Sequence, residues 1–304
     1  MLFDQRCKSC FERTYQTLLA KHTTKESQRI AFNNYFEQVM ADCDDLSTPE
    51  VQRLLQHKLQ DITAMDDFYS KEKWQSNEVA LALYPLWKQR VEQAPDPVNL
   101  AIRLAIAGNI MDYGANHTFD VEDTINEVIT KPLSIDHSMQ LKGKIAQARS
   151  ILYLGDNAGE IVFDRLFLET IHHPNVTFVV RGGATINDAT MEDVQTVGMQ
   201  HVANVITNGF DAPSTILERS SEEFKRHFAE ADLIISKGQG NLEGLYPLHD
   251  NRIFFLLMAK CDVIAEFIGA TKGNCIVYNE AVAANQGREL NSLQQAEGIS
   301  VITA

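Results

Sequence analysis

The chain is expected to be an α/β protein: a helical N-terminal lobe followed by a mainly parallel sheet covered by helices on both faces. Two textures predict this. Up to about residue 146, apolar residues recur at three-to-four spacing with no strand-like alternation. Beyond that point, short continuous apolar runs alternate with helical stretches, the pattern of parallel strands buried on both sides. The expected units are residues 1–146 and 147–304.

Taken in order, Phe11, Tyr15, Leu18 and Leu19 mark an amphipathic opening helix, and Val79, Leu81, Leu83 and Trp87 a later one. Asp96-Pro97 starts a helix, because Asp caps free amides and Pro fits the first helical position. An almost wholly apolar helix then runs from Val98 to Met111, and residues 116–150 join the lobes through another helix. Strands are expected at Ile151–Leu154, Val176–Val180, Asn204–Thr207, Leu233–Ser236, Ile253–Leu257 and Cys275–Tyr278. Helices such as Ile161–Ile171 and Ser221–Ala231 separate most of them.

Composition excludes several classes. Twenty-seven Lys and Arg against 41 Asp and Glu give a formal charge of −14, which argues against nucleic-acid or anionic-membrane surfaces. The longest apolar run, Ile253–Ala259, falls far short of the ~20 residues of a membrane span. No apolar secretory stretch opens the chain, and 5 cysteines form no disulfide framework. A cytoplasmic location is expected.

In an open parallel sheet, ligands bind beyond the carboxyl ends of the strands. Four successive strand ends here carry glycine with polar groups: Gly155-Asp156-Asn157-Ala158-Gly159-Glu160, Arg181-Gly182-Gly183, Asn208-Gly209, and Lys237-Gly238-Gln239-Gly240-Asn241. Asp156 and Asn157 suit a turn, but at the end of the first strand they also offer the hard oxygens that Mg2+ or Mn2+ prefers. Asp188 suits the same metal role, and equally suits capping a helix over 189–197. Lys237 with residues 238–241 reads as an anion cradle, though no phosphate-loop or dinucleotide fingerprint is present. Lys260 follows the most apolar run, where it either reaches solvent or edges a site. Asn109 and Asp112 end the apolar helix, as a helix terminus or as groups projecting between the lobes. Cys7-x-x-Cys10 has metal or redox spacing, but two thiols do not complete a tetrahedral site.

Together GNIMD (108–112), GDNAGE (155–160), RGGATINDATMED (181–193), KGQGN (237–241) and LLMAKCD (256–262) resemble the metal-dependent damage-control phosphatase family, also known as domain of unknown function 89. The early Cys7-x-x-Cys10 resembles its stand-alone prokaryotic branch. The resemblance implies a helical lobe beside a Rossmann-like lobe, with metal ligands at Asp156, Asn157 and Asp188 and catalytic roles for Asp156 and the phosphate-binding Lys260. It implies substrate contacts from Glu160 and residues 238–241. Lys237, Asn109 and Asp112 are further substrate-binding candidates. Leu257 stands where the eukaryotic branch carries an arginine. The implied cofactor is Mn2+, Mg2+, Co2+ or Ni2+, the partner a small phosphorylated metabolite such as a sugar phosphate, and the nucleophile either water or Asp156. Two other readings compete: an S-adenosylmethionine-dependent protein carboxyl methyltransferase, and a non-enzymatic metal-binding or redox-sensing protein.

Overall fold

The computed structural model describes residues 1–23, 25–109 and 118–296. Helices α1 (Lys8–His22), α2 (Glu26–Ala41) and α3 (Thr48–Thr63) gather around a core of their own that includes Phe11, Tyr15, Phe32, Val51 and Leu55. The start of α3 follows from its sequence. Ser47 and Glu50 form a reciprocal capping box and Pro49 sits in the first turn. Next come α4 (Ser70–Glu92) and α5 (Pro97–Ala107), the latter capped by Asp96, whose carboxylate accepts from the Asn99 amide at 3.0 Å.

After α6 (Thr118–Thr130) the chain makes an unexpected strand, β1 (Ile135–Asp136), and then α7 (Ser138–Gln147). Two residues are too few to show alternation, so β1 was not legible before residue 146; it exists because it pairs with the edge of the sheet. The remaining order is β2 (Ile151–Leu154), α8 (Glu160–Ile171), β3 (Val176–Val180), α9 (Met191–Val197), β4 (Asn204–Thr207), α10 (Glu222–Glu230), β5 (Leu233–Lys237), α11 (Gly238–Leu245), β6 (Ile253–Met258), α12 (Asp262–Ile268), β7 (Cys275–Tyr278) and α13 (Glu280–Ala296).

These strands form one seven-stranded sheet in the order β1-β7-β6-β5-β2-β3-β4. Neighbours from β4 across to β6 run parallel, and β7 is antiparallel to β6. The sheet is thus the mainly parallel α/β sheet expected. From β2 the chain builds outward to β3 and β4 on one side, then returns to place β5 and β6 on the other. That reversal opens a crevice between the ends of β2 and β5, where such sheets bind ligands.

One apolar core joins α4 to α8 and one sheet face, with Trp87, Ile102, Leu141, Phe163 and Phe254 among its residues. A second, including Phe224, Ile234, Leu257 and Ile264, fills the other face. The first core holds residues from both sides of position 146/147, so that division does not separate two cores. Among the described residues, α1 to α3 and Phe68 share a core apart from the sheet. Among the described residues no helix is long and apolar enough to cross a membrane.

Candidate active site

Two loops meet at the crevice. The loop after β2 starts at Gly155, where a Cβ would meet the Phe178 ring at 2.7 Å. The loop after β3 is stitched to it through main-chain bonds: Ala158 donates to Asn187 at 2.9 Å and Ala189 to the Asp156 carbonyl at 2.7 Å. Asn157 and Asp188 form an isolated antiparallel bridge. Asp156, Asn157 and Asp188 are therefore neighbours. Capping is not the task of Asp188. Helix α9 begins later than expected, at Met191, and its cap is Thr190 in a box with Asp193. Ile186, at φ +37, occupies a conformation costly for a β-branched residue. Gln56 of α3 holds that turn, accepting from the Ile186 amide at 3.1 Å and donating to the Ala184 carbonyl at 2.8 Å.

Arg181, a residue not singled out from sequence, links the acids. Its guanidinium donates to Asp188 at 2.5 Å, to Asp156 at 3.4 Å and to the Asn241 side chain at 2.9 Å. All four side chains are nearly excluded from solvent. Burial pushes the Asp156 carboxyl well above the usual range, Asp188 and Glu160 push the same way, and Arg181 and Lys260 oppose them.

Behind this pair lies a second ionic layer. Lys237, expected to face an anion, is fully buried and points inward. Its ammonium donates to Glu160 at 2.6 Å, Asp164 at 2.6 Å and the Ala105 carbonyl at 2.8 Å. Burial alone would lower this lysine, yet Asp164 and Glu160 hold it above the ordinary range. Burial raises Asp164 to about 6, against the pull of Lys237. Glu160 also accepts from Asn109 at 2.8 Å and from Asn157 at 3.1 Å. Lys237, Glu160, Asn109 and Asn241 thus lie behind the cavity wall: a buried lysine flanked by two carboxylates has no donor left to aim outward. Asp112 lies outside the described residues.

The cavity itself, about 140 Å³, is lined by Asp156, Asn157, Asp188, Gln239, Gly240 and Lys260 below. Above, Thr48, Pro49 and Gln52 of α3 close it, with Ile186, Pro213 and Glu243 completing the wall. Gly238 sits beneath, so close that a Cβ would fall 2.0 Å from the Asp156 carboxylate. The KGQGN segment is therefore not a loop but the first turn of α11, whose free amides favour negative charge. The roof is latched by Arg53 and His57 of α3, which meet Asp211 at 2.5 and 2.6 Å. Nothing in the local sequence of α3 marks it as a roof; its residues stand more than a hundred positions from the groups they cover. Asn208 is a turn former, accepting from the Gly182 and Phe210 amides at 3.0 Å each. Larger hollows exist, such as one of about 590 Å³ at the opposite strand edge beside Arg149, Asn175 and Asp232. They do not adjoin the paired acids.

Among the described residues no three His, Cys, Asp or Glu side chains could share a metal ion. The donor set at the cavity is two carboxylates and an amide, Asp156, Asp188 and Asn157, all oxygen and all hard. The Asn109 Oδ1 atom beside them is buried without a partner among the described residues. Two neighbouring carboxylates and an amide oxygen on one cavity wall fit a hard divalent cation.

A family model described as the damage-control phosphatase ARMT1-like domain matches residues 3–276. A damage-control phosphatase of Pyrococcus horikoshii is 36% identical over 212 residues, covering 68% of this chain and 73% of that protein. One from Archaeoglobus fulgidus is 34% identical over 227 residues, 73% and 79% of the two chains. The crystal structure of a domain-of-unknown-function-89 protein from P. horikoshii superposes with a TM-score of 0.85 at 30% identity, covering 92% of this chain and 99% of that one.

Proposed function

This chain belongs to the ARMT1-like damage-control phosphatase family, and we propose that it is a phosphatase hydrolysing small phosphomonoesters with the help of a divalent cation. One observation carries the reading: Asp156 and Asp188, buried across a single guanidinium, line the same small cavity as Lys260 and the amino end of α11.

Asp156, Asn157 and Asp188 would hold the cation. When bound, it neutralises charge on the transferring phosphoryl group and stabilises the developing transition state. Lys260 adds a point charge to the phosphate, and the α11 amides donate to its remaining oxygens. The second ionic layer keeps Asn157 in place, because Glu160, fixed by Lys237, accepts from its amide nitrogen. Both Asp156 oxygens already accept hydrogen bonds, Oδ2 from Asn157 at 2.9 Å and Oδ1 from Arg181. A carboxylate so restrained is a ligand rather than an attacking group, so water is assigned as the nucleophile. Borohydride reduction of protein acid-quenched during turnover should leave Asp156 intact; its conversion to homoserine, the mark of a trapped aspartyl-phosphate, would reverse the assignment.

Sugar phosphates and other damaged phosphometabolites are the proposed substrates, in keeping with the modest cavity. The carboxyl methyltransferase reading is disfavoured by the glycines. Gly155 and Gly159 make room for Phe178 and Ser76 of the protein itself, not for an adenosyl group. Hydrolysis of p-nitrophenyl phosphate, measured after chelation and again after adding back Mg2+, Mn2+, Co2+ or Ni2+, tests the proposal. Turnover indifferent to chelator, or absent with every metal, would refute it.

A further inference from the structure

The cavity contains one carboxyl for which the chemistry above has no use. Glu243 lies on α11, and helical spacing places it on the same face as Gln239 and Gly240. All three line the cavity with Asp156, Asp188 and Lys260. Glu243 is only 8% exposed. Thr48, from the roof helix α3, lines the same cavity and holds its carboxyl down against burial. Two polar side chains from different lobes therefore meet at a point of the wall away from the paired acids.

We propose that Glu243 is the general acid of the reaction, a role that rests on the phosphatase reading above. Water forms the new P–O bond while the bond from phosphorus to the ester oxygen breaks. The electron pair of that bond stays on the ester oxygen, which takes the Glu243 proton and leaves as a neutral alcohol. The proton shed by the attacking water returns through solvent to the carboxylate, so the cycle closes without any further reactant.

Three features support the role. In a cavity of about 140 Å³ no wall is far from another, so an ester whose phosphoryl group rests at Asp156 and Lys260 presents its organic side to the Thr48 and Glu243 wall. The carboxyl is sequestered from water, as a group that must arrive protonated requires. Burial also raises it to about 7, against Thr48 and the α-amino group of Met1. The other ionisable groups around it are Cys7 at the start of α1, Cys261 at the start of α12, and Lys260, Asp156 and Asp188 across the cavity.

The test compares two esters of different leaving ability on the metal-loaded protein. Glycerol phosphate must expel an alkoxide, which needs a proton; p-nitrophenyl phosphate expels a stabilised phenolate, which hardly does. In Glu243→Gln, kcat on the alkyl ester should fall by about 10²- to 10⁴-fold, far more than on the aryl ester, and the loss of alkyl activity as pH rises past neutrality should disappear. Glu243→Asp should restore part of the alkyl activity. Thr48→Val removes the hydroxyl that holds the carboxyl down and should move that alkaline limb upward. Equal losses on the two esters, or an unchanged alkyl rate, would overturn the proposal while leaving the phosphatase reading intact. Wild-type protein inert towards both esters would overturn the phosphatase reading and the proposal with it.

Discussion

Arg181 donates to Asp188 at 2.5 Å where both side chains are at most 2% exposed, and the same guanidinium is the counter-charge nearest to Asp156. Removing one partner of a buried pair typically costs about 3–5 kcal/mol. Arg181→Met should therefore unfold in urea with a loss of that order when metal is chelated. Saturating Mn2+ should restore more stability to the variant than to the wild type, since the emptied site is more negative and binds the cation tighter. Equal stabilisation of the two proteins would mean that Arg181 and the cation do not share these acids.

The two acids should respond differently to neutralisation. From sequence alone, removing either relieves repulsion between carboxylates. For Asp188 a second effect opposes this, because Asp188→Ala removes the shortest contact of a buried arginine and leaves it Asp156 and Asn241. Asp156→Asn should be at least as stable as wild type without metal, whereas Asp188→Ala should be less stable by a few kcal/mol. Neither should gain thermal stability from Mn2+. A wild-type-sized metal shift in either variant would remove that residue from the proposed ligand set.

Lys237 is placed as a structural cation. Lys237→Met leaves Glu160 and Asp164 facing each other without compensation and should cost about 3–5 kcal/mol. Adding Asp164→Asn should recover a substantial part, a coupling that a double-mutant cycle measures directly. Full additivity of the two losses would mean that the pair interacts less than its 2.6 Å contact implies.

Glu243 makes stability depend on pH with a defined sign. Its folded-state value is raised from 4.5 to about 7 by burial, so the folded chain binds a proton that the unfolded chain releases. The associated stability is complete below about pH 4.5 and lost by about pH 7, amounting to about 3 kcal/mol. Glu243→Gln should therefore gain on wild type as pH rises through that window in chelator. A stability difference that is flat between pH 4 and 8 would contradict the assigned ionisation.

Cys7 and Cys10 should matter little to turnover. Burial pushes the Cys7 thiol up to about 12, with Glu243, Cys261, Asp4 and Cys10 adding to the effect, and a protonated thiol is neither a good metal ligand nor a good nucleophile. The Cys7→Ser/Cys10→Ser protein should keep its p-nitrophenyl phosphate turnover per folded molecule within about tenfold, ~1.4 kcal/mol of barrier. A larger drop would tie the pair to the active site.

What the sequence determined by itself was local. Strands covered on both faces are largely apolar, so β2 and β3 stand where their runs stand and β6 extends one residue further; β7, the edge strand β4 and β5, which ends in Ser236-Lys237, also sit at their runs, β5 one residue longer. That Asp156, Asn157 and Asp188 follow strand ends was legible in the sequence, and the fold places all three on one cavity. Only tertiary structure decided which way each charge faces. Lys237 turns inward because Ala105, 132 residues away, and two carboxylates on α8 supply its partners. Arg181 lies between the acids because two loops fold onto each other. Asp211 meets Arg53 across 158 residues to fasten the roof. A strand announces itself through its own burial, but the direction of a buried charge depends on partners that no neighbouring residue reveals.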